Sequence, residues 1–329
     1  MGAAGIVVGY TIWGGMWSVA MTDLFLSVVI LVGLVAVAWL VGELAGGAGN
    51  VVAAAAEAGR LEFWPKGGTK EWLWFAAAWM TLAIGSIPQQ DVFQRVTSAK
   101  DEKTAIRGCL AGGAVYFCFA FVPIFIAYAA LVIEPGYAKL FASEDAREIQ
   151  RILPQLILER TPLWAQVLFF GALLSAILST ASGALLAPAA LFTENVIRPL
   201  APRMGDRQFL LLLRVVLVAF TLAALLFALN SKSTMYEMVQ NAYKVTLVSC
   251  IVPLAAGIYW RRANVPGALL SIVFGLGAWA VAEAVAADAT VPPQLVGLAC
   301  SVFGMVMGSF LPRQHAAAPA HRGHPRHTP

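Results

Sequence analysis

Apolar runs of about 20 residues recur along the chain between short polar segments, and this pattern predicts a bundle of membrane-spanning helices. A hydrocarbon layer of ~30 Å needs about 20 helical residues to cross it. The predicted full spans are residues 19–42, 71–92, 108–132, 163–188, 209–230, 235–259, 266–286 and 292–312. A shorter apolar stretch at 3–14 is interpreted as the end of a further span. We therefore expect an all-α polytopic protein of the cell membrane.

The basic residues of the loops predict how the helices are oriented. They occur in every second loop, and the loops between them are either long or nearly free of basic residues. The basic loops contain Arg95, Lys100, Lys103 and Arg107, then Arg198, Arg203 and Arg207, then Arg261 and Arg262, and finally Arg313. By the positive-inside rule these loops are cytoplasmic. The net charge of +4 therefore reflects membrane topology, and we expect no nucleic-acid partner.

Two segments differ from the spans in composition. Residues 134–162 form the one sizeable polar insertion, for which helical spacing of apolar residues predicts an amphipathic external helix. These apolar residues are Ile149, Ile152, Leu156 and Leu158. After the transmembrane domain, residues 1–312, the Pro- and His-rich segment 313–329 is predicted to be a disordered cytoplasmic tail.

The composition argues against an enzyme. Only 12% of the residues are charged, and 60% are hydrophobic. All four histidines lie in the tail, and the four cysteines are scattered through apolar spans without paired spacing. The spans therefore contain no histidine for acid–base chemistry, and we expect no metal site other than one for sodium.

Polar residues inside the spans are functional candidates, because an ionisable group there costs about 2.5–3.5 kcal/mol on insertion scales. Asp23 lies at the inner end of the first full span. In the next span, Gly85, Ser86 and Pro88 predict a helix break, a feature that transporters use to expose backbone groups to substrate and ion. The candidate substrate-lining residues at this break are Ser86, Gln89 and Gln90. A structural kink is the alternative.

Further polar candidates lie near the start of the span 235–259, and they are Gln240, Asn241 and Lys244. Lys244 either extends towards the external interface or contacts an anionic group or a carboxylate of a missing N-terminal part of the protein. At the cytoplasmic side, Asp91 and Arg95 are four residues apart, and the simplest prediction is that they neutralise each other on one helix face.

The segment LLSAILSTASGALLAP, residues 173–188, combines small residues with hydroxyl groups. The small residues recur at spacings of three and four: Ala172, Ala176, Ser179 or Thr180, Gly183 and Ala187. Such a face lets another helix backbone come close. Ser179 and Thr180 also offer two neutral oxygens, the ligand type that suits a hard monovalent cation. Helix packing and a sodium site are both consistent with this pattern.

Four segments together resemble the solute:sodium symporter family over nearly the whole chain. They are WGGMWSVAMTD, FQRVTSAKDEKTA, LLSAILSTASGALLAPAALFTENV and GIYWRRANVPGALLSIVFG, in the order and spacing of the family. A further segment, GSIPQQDVFQRVTS, is similar to the choline-transporter branch. The resemblance implies a leucine-transporter-type fold of two inverted five-helix repeats with flanking helices. It also implies inward transport of a small organic solute with sodium, by alternating access.

The resemblance implies roles for individual residues. Ala176, through its carbonyl, and Ser179 and Thr180, through their hydroxyls, match the sodium site of the family. Asp23 matches an acid near the inner sodium path. Gln240 falls where sugar-transporting relatives have a substrate-lining glutamine.

The sequence also departs from the family pattern at several positions. Leu82 and Gly85 replace an asparagine and an aromatic gate of the sugar transporters, which argues against a sugar as substrate. Gln89 replaces an aromatic residue of the choline branch and removes part of a cation-binding cage. After the Ser179–Thr180 pair the family often has alanine, aspartate and serine, and here Ser182 and Gly183 stand in place of the aspartate and the serine, so a second ion site near that aspartate is not supported.

We interpret the chain as the C-terminal two-thirds of a sodium-coupled transporter. By the resemblance it begins within the fourth core helix and carries the end of the first repeat, the whole second repeat and two accessory helices. The first core helix, which supplies the other half of the sodium site, is then outside it. The alternatives are a sensor or structural membrane module without transport, and a non-functional truncated fragment.

Overall fold

The computed structural model describes residues 2–138, 146–231 and 234–311, and for residues 2–19 it describes the backbone only. The first helices are α1 (Gly2–Leu44), α2 (Ala48–Glu57), α3 (Thr69–Trp79), α4 (Gln90–Thr97), α5 (Glu102–Phe119) and α6 (Phe121–Ile133). They are followed by α7 (Ala146–Arg160), α8 (Leu163–Phe192), α9 (Asp206–Asn230), α10 (Met235–Ser249), α11 (Ile251–Tyr259), α12 (Val265–Ala286) and α13 (Pro293–Ser309). Two π-helical turns, Met80–Ile84 and Thr193–Ile197, and the single turn Arg198–Leu200 complete the helices of these ranges. The predicted tail 313–329 lies outside the described residues.

The backbone divides into two compact units. Of the described residues, the first unit contains 2–64, 90–138, 146–231 and 234, and the second contains 65–89 and 235–311. The predicted helix break at 84–90 is therefore also the place where the chain passes from the second unit back to the first.

The helices agree with a protein that crosses a membrane several times. Five helical segments are long and apolar enough to span: Ala20–Leu44, Glu102–Ile133, Leu163–Leu200, Asp206–Asn230 and Val265–Ala286. The helices α10 and α11, bent by 40°, give a sixth when they are counted as one span. The other two predicted spans coincide with the interrupted segment after α3 and with α13, a shorter apolar helix. The count of eight full spans stays a prediction.

The N-terminal segment differs from the expected pattern of a partial span followed by a separate one. Residues 3–14 and 19–42 belong to one continuous helix, α1. The sequence between them has no proline, and Gly14 and Gly15 lower helix propensity by only about 1 kcal/mol each. Nothing in this stretch therefore forces the helix to end.

In the first unit, α1 and α8 approach each other closely. A Cβ atom at Gly33 would lie 3.0 Å from the Leu168 backbone oxygen and 3.2 Å from the Ala172 Cβ. On α8, Ala172, Gly183 and Ala187 are buried. The small residues of 173–188 thus contribute to a packing face, as one of the two interpretations requires. This close packing sets which polar groups of the two helices meet.

Helix α7 confirms the amphipathic helix predicted within residues 134–162. Ile152 and Leu156 are fully buried in a cluster with residues of α1 and α6. The prediction for Leu158 was wrong, because Leu158 is exposed and Ile157 is buried instead. Residues two apart on an α-helix point about 200° apart, so Leu156 and Leu158 do not share a face.

In the second unit, α12 and α13 form an antiparallel pair. Their hydroxyl-bearing residues Ser271 and Ser301 are both fully buried and lie 2.8 Å apart, oxygen to oxygen. Asn264 caps the start of α12 by accepting a hydrogen bond from the Gly267 amide at 2.8 Å. Its Nδ2 donates to the backbone oxygen of Ser309 at 3.2 Å. One asparagine side chain therefore links the start of α12 to the end of α13.

Candidate functional site

The first polar site lies in the first unit, where α1 and α8 cross. The Ser179 hydroxyl donates a hydrogen bond of 2.6 Å to Asp23 Oδ1. A hydroxyl that donates to a carboxylate at this distance makes a strong, charge-assisted bond. The structure therefore brings together two residues that are 156 positions apart in the sequence and that the family resemblance links to sodium.

The other residues predicted for a sodium site lie beside this pair on α8. Ala176 is half-buried, one turn before Ser179, whereas Thr180 is exposed in the first unit. Within the described ranges, no hydrogen bond of the Thr180 hydroxyl is found. Ser182 is buried, and its hydroxyl donates to the Ser179 backbone oxygen at 2.8 Å. Ser175 is also buried, one turn before Ser179. Among these described residues of α8, Ser179 is thus the one that bonds to Asp23.

Arg95 completes this site. Its Nη2 lies 3.0 Å from Asp23 Oδ2, so the two carboxylate oxygens have one neutral and one charged donor. The side chain of Arg95 is 41% exposed and that of Asp23 is 18% exposed. A Cβ atom at Gly183 would lie 2.7 Å from Arg95 Nη2. The absence of a side chain at Gly183 therefore makes room for the guanidinium group. The side chain of Asp91 is not among those described, so its pairing with Arg95 stays a prediction.

The second polar site is the helix break in the second unit. After α3, the π-helical turn Met80–Ile84 leads into an irregular segment. A Cβ atom at Gly85 would lie 2.5 Å from the Tyr243 backbone oxygen of α10, so only glycine allows this approach. The Thr246 hydroxyl donates to the Gly85 carbonyl at 2.5 Å. Gln89 Nε2 lies 3.5 Å from the Thr246 hydroxyl oxygen, which is a long hydrogen bond.

The remaining substrate-lining candidates are distributed over both units. Ser86 is half-buried and donates to the Ala83 carbonyl at 3.1 Å, within the break itself. Gln90 is the first residue of α4 and belongs to the first unit. On α10, Gln240 is half-buried and Asn241 is exposed. The structure therefore brings Gln89, but not Gln240 or Asn241, into hydrogen-bonding distance of Thr246 within the described part of the second unit.

Lys244 forms an ion pair inside the second unit. Its Nζ lies 3.2 Å from Glu283 Oε1 of α12, and the two side chains are 11% and 39% exposed. The indole nitrogen of Trp279 donates to the other carboxylate oxygen of Glu283 at 3.1 Å. Of the two interpretations, contact with a carboxylate is therefore observed, and the carboxylate belongs to this chain.

Sequence reasoning missed three of these residues. Glu283 lies within the predicted span 266–286, where the high cost of a charge in lipid would have identified it as a candidate. For Arg95 the reasoning considered only a neighbour on its own helix. Thr246 gave no signal, because a threonine in an apolar helix usually bonds to its own backbone.

Three comparisons with known proteins bear on the whole chain. The sequence profile of the sodium:solute symporter family matches residues 1–275. The chain is 25% identical, over 287 residues, to the high-affinity choline transporter 1 of Caenorhabditis elegans, covering 83% of this chain and 48% of that protein. It is 24% identical, over 279 residues, to the sodium/pantothenate symporter of Haemophilus influenzae, covering 82% of this chain and 55% of that protein. The chain thus spans about half the length of these relatives.

The fold agrees with a solved structure of a Na⁺-coupled sialic acid symporter in its substrate-bound outward-open state. The TM-score is 0.73 at 19% sequence identity, and the match covers 94% of this chain and 66% of the symporter. The molecule is therefore a multi-pass helical membrane protein of the leucine-transporter fold class. With the profile matched over most of its length, the chain belongs to the sodium:solute symporter family. The family and these relatives are transporters rather than enzymes.

Proposed function

We propose that the chain forms the ion-binding part of a secondary transporter that carries a small organic solute together with sodium across the cell membrane by alternating access. The observation that carries this proposal is the 2.6 Å hydrogen bond between Ser179 and Asp23, which joins a hydroxyl and a carboxylate at the crossing of α1 and α8. Family membership supplies the transport class.

The chemistry of the pair suits sodium. A hydroxyl that donates its proton to a carboxylate keeps its oxygen lone pairs for a cation, and the carboxylate makes that oxygen more basic. Hard cations prefer oxygen ligands of this kind. Ser179, with Thr180 and the Ala176 carbonyl on the same helix, then supplies the ligands, and Asp23 supplies the negative charge on the path to the cytoplasm.

For the solute, we propose the helix break of the second unit as one lining element. Gly85 exposes its carbonyl, which the Thr246 hydroxyl binds, and the Gln89 amide lies next to that hydroxyl. The proposed lining residues are Ser86, Gln89, Gln90, Gln240, Asn241 and Lys244, together with Thr246. Because Lys244 is already paired with Glu283, this side of the site carries little net charge.

Sodium binding can be tested without knowing the solute. The protein, in the longest form that its reading frame encodes, is purified in detergent, and its unfolding temperature is measured against sodium chloride or potassium chloride at constant ionic strength. A ligand that binds only the folded state stabilises it in a concentration-dependent way. We expect a saturable rise with sodium that Asp23→Asn shifts to higher sodium concentration. Equal curves for both salts would contradict the proposed site.

Transport itself needs a flux measurement. Proteoliposomes with an inward sodium gradient are supplied with labelled choline, pantothenate and sialic acid, the solutes named for the relatives and for the solved structure. We expect sodium-dependent accumulation of at least one solute of this size class, reduced by Thr246→Val. Saturable sodium binding without sodium-driven flux of a wider solute panel would instead indicate the non-transporting membrane module.

A further inference from the structure

If the proposed function is correct, two cations interact with the carboxylate of Asp23: the Arg95 guanidinium and the sodium ion. In the structure, Arg95 Nη2 lies 3.0 Å from Oδ2, on the opposite oxygen from the one that Ser179 contacts. A guanidinium at this distance neutralises the carboxylate. A sodium ion at Ser179 then approaches a site whose negative charge is already compensated.

We propose that Arg95 is an internal counter-cation that competes with sodium for Asp23. Resting on the proposed function, this inference adds a residue that sets sodium affinity without being a ligand. When sodium occupies the Ser179 oxygen, the guanidinium and the ion repel each other across a few ångströms. When sodium leaves, the guanidinium restores the neutral pair and the carboxylate is not left uncompensated.

Two features of the structure favour competition over a simple anchoring role for Arg95. First, Asp23 is already oriented by the Ser179 hydroxyl and is fixed on a long helix, so the carboxylate does not need Arg95 for its position. Second, the Arg95 side chain is 41% exposed, so it is not enclosed by the surrounding helices. An anchor would be expected to be buried on all sides.

Gly183 provides the independent observation. It lies one turn after Ser179 on α8 and is buried, and a methyl group there would come within 2.7 Å of Arg95 Nη2. The three atoms nearest to such a Cβ atom all belong to the Arg95 guanidinium. The face of α8 next to Ser179 thus has a glycine at the position where the Arg95 guanidinium needs space.

The location agrees with control of sodium release. Arg95 belongs to the set of basic residues that the positive-inside rule assigns to the cytoplasmic side. An ion leaving Ser179 for the cytoplasm passes a carboxylate that Arg95 is ready to neutralise. The competition therefore lowers sodium affinity at the end of the pathway where release is required.

The test measures the sodium concentration that gives half of the rise in unfolding temperature, in the same full-length protein. We expect Arg95→Gln to lower this concentration about two- to fivefold, the scale of a partly exposed ion pair. Arg95→Lys, which keeps the charge, should stay closer to wild type. The matched control is Arg107→Gln, which removes the same charge from an exposed position on α5.

A double-mutant cycle tests the contact directly. Gly183→Ala should displace the guanidinium and lower the half-maximal sodium concentration on its own, but should have no further effect in the Arg95→Gln background. An unchanged or higher value for Arg95→Gln would overturn the proposal, and so would an equal decrease for Arg107→Gln. If Asp23→Asn raises the value while Arg95→Gln fails to lower it, only the competition is wrong. If Asp23→Asn has no effect, the proposed sodium site itself is wrong.

Discussion

Replacing Ser179 with alanine deletes one hydroxyl from the crossing of α1 and α8 and leaves the rest of the helix face unchanged. The lost group is the donor of the 2.6 Å hydrogen bond to Asp23 and, in the proposed function, a ligand of sodium. A hydrogen bond to a charged group contributes about 1.5–3 kcal/mol. Because 1.4 kcal/mol corresponds to a tenfold change in binding, we expect the half-maximal sodium concentration for uptake to rise about ten- to a hundredfold.

The assay is sodium-dependent uptake into proteoliposomes, with protein amount and folding measured in parallel. Ser175→Ala is the matched control, since Ser175 is buried on the same helix, one turn away, and makes no contact with Asp23 in the described structure. Thr180→Val removes the second hydroxyl and keeps the side-chain shape. It should raise the sodium requirement by a smaller factor, because Thr180 is exposed and does not bond to Asp23. Unchanged sodium dependence in both Ser179→Ala and Thr180→Val, with normal expression, would refute the reasoning and leave these hydroxyls as packing groups.

Further predictions concern the second unit. Gly85→Ala should destabilise the protein by about 3 kcal/mol, the upper range for overpacking, because the new methyl group meets backbone atoms rather than a movable side chain. Thermal unfolding measures this loss, and Gly277→Ala is the control because a methyl group there enters open space. Lys244→Gln should lower the free energy of unfolding by about 1–2 kcal/mol, less than for a fully buried pair because Glu283 is partly exposed. Adding Glu283→Gln should recover most of this loss, and wild-type stability of the Lys244→Gln protein would contradict the prediction. Gln240→Ala should weaken solute affinity about fivefold, as for one lost hydrogen bond of ~1 kcal/mol, with little change in unfolding temperature, and equal affinity would remove Gln240 from the site.

Hydrophobic periodicity predicted the helices well, because the need to cover about 30 Å of hydrocarbon fixes the length and composition of each span. Five of the eight predicted spans coincide with helices long and apolar enough to cross a membrane, and the bent pair of α10 and α11 gives a sixth when it is counted as one span. The helix break at Gly85 was also predictable, since Gly85, Ser86 and Pro88 together disfavour a regular helix. An amphipathic helix within residues 134–162 was also predicted, but Leu158, one of its four predicted apolar residues, is exposed.

The sites were less predictable, since their residues meet only through tertiary packing. Asp23 and Ser179 were identified separately, as a charge in lipid and as a hydroxyl on a small-residue face. Their hydrogen bond depends on how α1 and α8 pack, which Gly33 permits and which no local pattern specifies. Thr246 was even less predictable from the sequence, because its role depends entirely on the position of the Gly85 carbonyl.

The two ion pairs show that a charge in this protein can pair with a residue far away in the sequence. On a soluble helix, a residue four positions away is a reasonable partner for a charge, and that rule suggested Asp91 for Arg95. Within a membrane, however, leaving a carboxylate without a partner is costly, so the fold as a whole supplies one. Arg95 reaches Asp23 across 72 positions, and Lys244 reaches Glu283 across 39. A charge in a predicted span should therefore be matched first with opposite charges in other spans at similar membrane depth. By that criterion Glu283 would have been expected as the partner of Lys244, whereas Arg95, which lies outside the predicted spans, would not have been matched with Asp23.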